Sequence, residues 1–344
     1  VHLRDPSMPT GALPTLHTAR RRWLRGGAAL GLAALGGAGC STVAPPLRIG
    51  AHPWLGYELM FLAHAHGLLQ PGQLRLVEVP SATASLRALA AGTLDGAGLT
   101  LDEVLTARAR GLMLRVVAVF DVSHGADVLL GSPDITSLSA LRGRRVGVEH
   151  SATGALVLDA ALHAGGLAAA DVRMVPLSFD EHAAALRAGE VDAVVTFDPV
   201  RSQLLADGAQ QLFSSAQVPG LIVDVLAVRA EAVHSQGTHL RTLVAGVLQA
   251  RSLWQQDSAG SAARMAPRLQ LSPAAVVQAF SLVQLPDLAA NHRWLGGPRP
   301  ALMAAAERLQ AVMRRAALLP PTAQPLAGPH ADAALADARF LPAL

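Results

Sequence analysis

From Leu47 onward the chain alternates short apolar runs with stretches whose apolar positions recur every three or four residues. The runs Leu47–Ala51, Leu74–Val79, Gly96–Leu99 and Leu114–Phe120 read as strands, and the stretches Leu55–Leu68, Ala82–Ala91 and Leu101–Arg110 read as helices. A second set follows, with strands Ala126–Leu130, Arg145–Glu149, Val172–Pro176 and Val191–Thr196 and helices Thr153–Ala164, Glu181–Ala188 and Pro199–Ala206. Strands separated by helices of this length predict an α/β chain with two mainly parallel sheets flanked by helices, because a parallel pair needs a long crossover and a helix supplies it.

The two sets share a phrase. Leu89-Ala90-Ala91-Gly92-Thr93-Leu94-Asp95-Gly96 matches Leu186-Arg187-Ala188-Gly189-Glu190-Val191-Asp192-Ala193. In each, a helix ends on Ala-Gly, where Gly accepts the positive φ of a helix stop, and an Asp opens the next strand. Any turn from helix to strand favours these residues, but their recurrence in equivalent places argues for two lobes of similar build. One more apolar run, Asp224–Val228, precedes a nearly all-helical stretch, Glu231–Leu318. A strand that returns after the second set implies that residues 47–123 and 224–318 form lobe 1 and residues 124–223 form lobe 2. Two crossovers, near Val122–Ala126 and Pro219–Asp224, then act as a hinge. The Pro-, Ala- and Gly-rich end, residues 319–344, reads as a flexible tail.

Residues 1–40 change the picture at the other end. Arg20-Arg21-Arg22-Trp23-Leu24-Arg25 precedes an apolar, small-residue run from Gly26 to Ala38 and then the chain's single cysteine, Cys40. Basic cluster, short apolar stretch and small residues are the parts of a secretory signal peptide. The arginine cluster resembles a twin-arginine export motif. Gly37-Ala38-Gly39-Cys40 resembles a lipobox, with Gly37 where that pattern usually has Leu. The expectation is a chain of the periplasm or cell envelope, lipid-anchored to the membrane through Cys40. An ordinary signal peptide with an incidental cysteine is the alternative.

Composition narrows the function. The chain has 344 residues, 51% hydrophobic and 15% charged, enough for two real cores and too apolar for a disordered chain. One cysteine excludes an intramolecular disulfide framework. All 28 basic residues counted with the arginines are Arg; five of them precede Cys40, and the remainder carries 23 Arg against 24 acids. With the basic excess in the leader, nothing marks a nucleic-acid surface. A nucleophile elbow, a His-Glu-x-x-His helix and a Gly-rich phosphate loop are missing, so no catalytic, metal or cofactor site is expected.

The order of the export leader, Val119–Leu130 (VFDVSHGADVLL), Leu141–Leu162 (LRGRRVGVEHSATGALVLDAAL), Gly189–Leu205 (GEVDAVVTFDPVRSQLL) and a helical return resembles the periplasmic substrate-binding proteins of ABC importers, in the nitrate, sulfonate, taurine and thiamine-pyrimidine-precursor group. The resemblance covers about Leu47 to Leu318. It implies a bilobed type II periplasmic-binding-protein fold that closes on a small solute and presents it to an ABC permease and ATPase, as a monomer. Carried onto matching segments, it implies ligand-binding roles for Trp54, Gly56 and Tyr57 after the first strand, and for Thr100 and Asp102 after the third. In the second lobe it points to Ser151, Thr153 and Gly154 at a helix start and to Phe197 and Asp198 after the last strand. Asp121 and Ser123 flank the first crossover, with Asp127, as ligand contacts or as hinge ties.

Other readings of these residues stay open. Trp54 and Tyr57 also suit a core pair with Phe61. Thr100 or Asp102 suits a helix cap, and Ser151–Gly154 suits an N-cap as well as an anion seat. His150 and His182, near the inferred cleft loops, read as capped or solvent-facing. The acids Asp102, Asp121, Asp127, Glu149 and Asp198 with no obvious Arg favour a solute bearing an amine, amidine or aminopyrimidine, possibly zwitterionic like taurine, stacked on Trp54 or Tyr57. Two rival functions share the fold: an enzyme of the pyrimidine-precursor synthase or chorismate-derived dehydratase type, and a ligand-sensing accessory protein.

Overall fold

The computed structural model describes residues 45–149, 152–319 and 335–344. The leader with Cys40, and Ser151, lie outside the described residues.

Two sheets carry the fold. The first contains β1 (Leu47–Ala51), β2 (Leu74–Glu78), β3 (Gly96–Thr100) and β4 (Leu114–Ser123) from the early chain, with α1 (Glu58–Ala65), α2 (Ala82–Ala90) and α3 (Leu101–Ala109) between them. The second contains β5 (Val128–Gly131), β6 (Arg145–Val148), β7 (Arg173–Pro176), β8 (Ala193–Thr196) and β9 (Gln210–Ser214), with α4 (Ala152–Ala164), α5 (His182–Arg187) and α6 (Val200–Ala206). The chain then returns as β10 (Val223–Arg229) and continues through α7 (Ala230–Ser235), α8 (Gly237–Gln256), α9 (Ser258–Leu269), α10 (Pro273–Phe280), β11 (Val283–Gln284), α11 (Leu288–Leu295) and α12 (Ala301–Arg315). The strand orders are β11-β4-β10-β3-β1-β2 and β7-β6-β8-β5-β9.

Both sheets are mixed. β1 runs parallel to β2 and β3, and β6 runs parallel to β7 and β8. β10 is antiparallel to β3 and β4, and β5 is antiparallel to β8 and β9. The physical reason is the crossover: β5 and β10 enter their sheets from the side at which the neighbouring parallel strands end, so they must run the other way. β9, which the sequence pattern does not reveal, has only partial burial in Gln-Gln-Leu-Phe-Ser and lies at a sheet edge.

The shared phrase has a shared structure. Gly92 and Gly189 both have positive φ, +71° and +67°. Arg48 donates Nε and Nη2 to Asp95 at 2.9 and 2.6 Å and Nη2 to the Gly92 carbonyl at 2.9 Å. Arg145 repeats this with Asp192 at 3.0 and 3.0 Å and the Gly189 carbonyl at 2.9 Å, over the same separations of 47 and 44 residues. The Asp therefore clamps the start of β1 to the start of β3 in the first sheet and the start of β6 to the start of β8 in the second.

Apolar side chains from α1 and α8–α10 cover one face of the first sheet, and those from α3 and α12 cover the other. The crossovers are tied to each other. Ser123 Oγ and Ser215 Oγ are 2.7 Å apart, the Gly125 N–H donates to Ser215 Oγ at 2.7 Å, and the Ser123 N–H donates to the Ile222 carbonyl at 3.1 Å. Ser123 is thus a hinge tie rather than a cavity residue. The end of the expected flexible tail is corrected over residues 335–344: Leu335 and Phe340 are buried, Ala336 bridges to Val116, and His292 Nε2 lies 2.8 Å from the Pro342 carbonyl. Two large apolar side chains there have the core to enter, which composition alone does not reveal.

Candidate functional site

The segments that follow β1, β2, β3, β6, β7 and β8 at their C-terminal ends, with β8 itself and the two crossovers, converge on one enclosed cavity. Its free volume is about 30 Å³. His52 and Trp54 follow β1, Ala82 follows β2, Thr100 ends β3, and Glu103 lies one turn into α3. From the other side come Glu149, Thr153 and Gly154 after β6, His182 after β7, and Val195 and Phe197 at the end of β8. Asp127 and Asp224 reach it from the crossovers. Ligands of open α/β sheets bind at such strand ends.

Strand register builds its floor. Asp224 on β10 pairs with Thr100 on β3 and with Asp121 on β4, so the three side chains form a row. Behind the row, Tyr57 is fully buried and donates its hydroxyl to Asp224 Oδ1 at 2.6 Å. Gly98 makes room for that ring, because a Cβ there would lie 2.7 Å from it. The Trp54 indole N–H donates to Asp121 Oδ2 at 2.9 Å, and a Cβ on Gly56 would lie 1.9 Å from the same oxygen. Trp54 meets Phe197 edge to face across the cavity, with centroids 5.2 Å apart, and Phe179 stacks behind Phe197 at 4.1 Å.

Thr153 closes the cavity between the sheets. Its hydroxyl lies 2.7 Å from Thr100 Oγ1 and donates to Asp102 Oδ2 at 2.9 Å, while the Thr83 N–H donates to Glu149 Oε1 at 3.0 Å. Glycine at 154 lets α4 start against β6, since a Cβ would meet the Glu149 carbonyl at 3.0 Å.

Of the residues expected to bind ligand, Trp54, Thr100, Thr153, Gly154 and Phe197 line the cavity. Gly56, Tyr57, Asp102 and Asp121 stand behind it as supports. Asp198 is not among the lining residues: it is fully buried and accepts the Ser202 N–H at 2.9 Å, 3.7 Å from Arg201, at the start of α6. His182 is a correction, since it is buried and lines the cavity. Asp127 and Glu149, expected among the cleft acids, line it too, and the lining residues outside the expectation are His52, Ala82, Glu103, His182, Val195 and Asp224. Position at a strand end was the signal available for His52 and Asp224.

Burial governs the electrostatics. Asp127 is pushed up to about 7 by desolvation, against a hydrogen bond from Ser123. Burial also raises Asp121, helped by the charge of Asp127 and opposed by the hydrogen bond from Trp54; Asp224, helped by the charges of Asp121 and Asp127; and Asp102, which hydrogen bonds with Thr100 and Thr153 partly offset. His52 is pushed down to about 3 by burial, helped by the charge of Arg268, and His182 to about 4 by burial. Both imidazoles are therefore neutral near pH 7. Among the described residues no group of three His, Cys, Asp or Glu side chains could hold a metal ion, and no helix is long and apolar enough to cross a membrane.

Residues 43–270 match the NMT1-like family. A protein of Escherichia coli (strain K12) described as binding aliphatic sulfonates is 29% identical over 239 residues, 66% of this chain and 74% of its own. The alkanesulfonate-binding protein SsuA from Xanthomonas axonopodis pv. citri, solved with MOPS bound, superposes with a TM-score of 0.69 at 25% identity over 81% of this chain and 96% of its own. The desulfurization enzyme DszB, solved with biphenyl-2-sulfinic acid, shares the fold with a TM-score of 0.58 at 19% identity, over 85% of this chain and 97% of its own.

Proposed function

Because the chain belongs to the NMT1-like family, we propose that it is the extracytoplasmic solute-binding component of an ABC importer. In this reading it closes on a small organic solute in the cavity between its sheets and delivers that solute to a membrane permease. The observation that carries the reading is the Thr100–Thr153–Asp102 contact, which joins the strand ends of the two sheets over an enclosed cavity. A hinge of two crossovers and a contact between the two sheets over the cavity are what a binder needs to trap a solute and release it. The leader of residues 1–40 and Cys40 support a location in the periplasm or cell envelope with a lipid tether. The sulfonate-binding relatives support a small-solute cargo.

A thermal-shift screen of the purified chain tests this, using alkanesulfonates, taurine, nitrate, aminopyrimidines, amino acids, amines and amidines. A solute at 100 times its Kd adds roughly 2.7 kcal/mol of stability. A hit recovered chemically unchanged supports the binder. A hit that is consumed overturns it in favour of an enzyme, the reading that the likeness to DszB keeps in view.

A further inference from the structure

We propose that the solute carries an ammonium or amidinium head, which donates to Asp127 and Asp224 inside the cavity. This rests on the solute-binding reading and names its substrate class.

Four side chains that line the cavity, each more than nine-tenths buried, present a polar atom with no partner: Asp127 Oδ2, Asp224 Oδ2, His52 Nδ1 and His182 Nε2. Two are carboxyl oxygens, which burial pushes toward the protonated form and which a bound cation would hold ionised as acceptors, and two are nitrogens of neutral imidazoles, each able to accept as one tautomer. Burying acceptors without donors is unfavourable, so the cavity is made for a donor-rich group. Glu103 and Glu149 add two more carboxylates to its wall.

No arginine lines the cavity among the described residues, and the chain has no lysine. Arg268, whose charge reaches His52, is held by Glu58 at 2.7 Å and Glu78 at 2.5 Å and lies 3.5 Å over the Phe61 ring. An alkanesulfonate without an amine would thus meet four carboxylates and no facing cation. A cation gains instead from the carboxylates. The identity of 29% to a sulfonate-binding relative and the chemistry of this cavity therefore point to different cargo.

Calorimetric titration of the full chain with benzamidine against benzamide, and with butylamine against butanesulfonate, tests the proposal. Each cation is expected to bind at least tenfold more tightly than its partner compound. Asp127→Asn and Asp224→Asn are expected to weaken the cation at least tenfold while circular dichroism stays unchanged; Glu149→Gln serves if either fails to fold. Binding of butanesulfonate but not butylamine overturns the cationic head and leaves the importer reading standing. Silence from every cation, or unchanged affinity in all folded variants, also overturns it. Chemical conversion of a bound cation overturns the importer reading alone.

Discussion

The Tyr57 hydroxyl donates to Asp224 Oδ1 at 2.6 Å and so ties the loop after β1 to the strand that returns from the second sheet, 167 residues later. Both side chains are buried, and the other Asp224 oxygen has no partner. Removing the hydroxyl leaves a buried carboxylate with two unsatisfied oxygens, which costs about 1–3 kcal/mol. Tyr57→Phe should lower the urea midpoint accordingly. An unchanged midpoint would mean that the contact contributes nothing.

Gly56→Ala places a methyl 1.9 Å from Asp121 Oδ2, the oxygen that accepts from Trp54. The carboxylate must move, and the indole loses its partner. A stability loss of roughly 1–3 kcal/mol is expected. Trp54 fluorescence should shift with it, and no spectral change would show that the Asp121 side chain rotates away freely.

Thr153→Val keeps the shape of the side chain but removes the hydroxyl that joins Thr100 and Asp102. Only the closed arrangement loses by this. A penalty of about 1–1.4 kcal/mol corresponds to a roughly five- to tenfold weaker apparent affinity for a solute that binds the closed form. Solution scattering should report a larger radius of gyration for the variant without solute. Identical scattering and affinity would remove Thr153 from the closing contact.

The buried acids and histidines pull the pH dependence of stability in opposite directions. Asp127, raised to about 7, holds a proton that the unfolded chain releases near pH 4, so its contribution is fully present below that pH and is lost as pH rises through 7. His52 and His182, lowered to about 3 and about 4, contribute stability above about pH 6.5 that is lost as pH falls through their folded values. Asp127→Asn removes the first effect alone. Its stability relative to the parent chain should rise from pH 5 to pH 8 in urea titrations; a difference that stays level would contradict the assignment.

Deleting residues 335–344 removes Leu335 and Phe340 from the core and Asp337 from its ion pair with Arg115 at 3.7 Å. At about 1.5–3 kcal/mol for each buried side chain, the loss is roughly 3–6 kcal/mol. A melting temperature unaffected by the deletion would restore the view of this end as a loose tail.

The sequence by itself determined the alternation of strands and helices, because burial on a sheet covered by helices writes a local period into the chain. It also determined the Gly-and-Asp phrase of both sheets, since a helix stop and a strand start depend on the residues next to them. Trp54, Thr100, Thr153 and Phe197 were legible as cavity residues because strand ends are. Tertiary structure decided which neighbour faces inward: His52 lines the cavity while Tyr57 supports it, and Phe197 lines it while Asp198 accepts from the Ser202 N–H. It also decided that His182 is buried and that Leu335 and Phe340 enter the core. Each of these depends on contacts with parts of the chain that local pattern does not identify. The row of Thr100, Asp224 and Asp121 exists only through strand register, which joins residues more than a hundred positions apart.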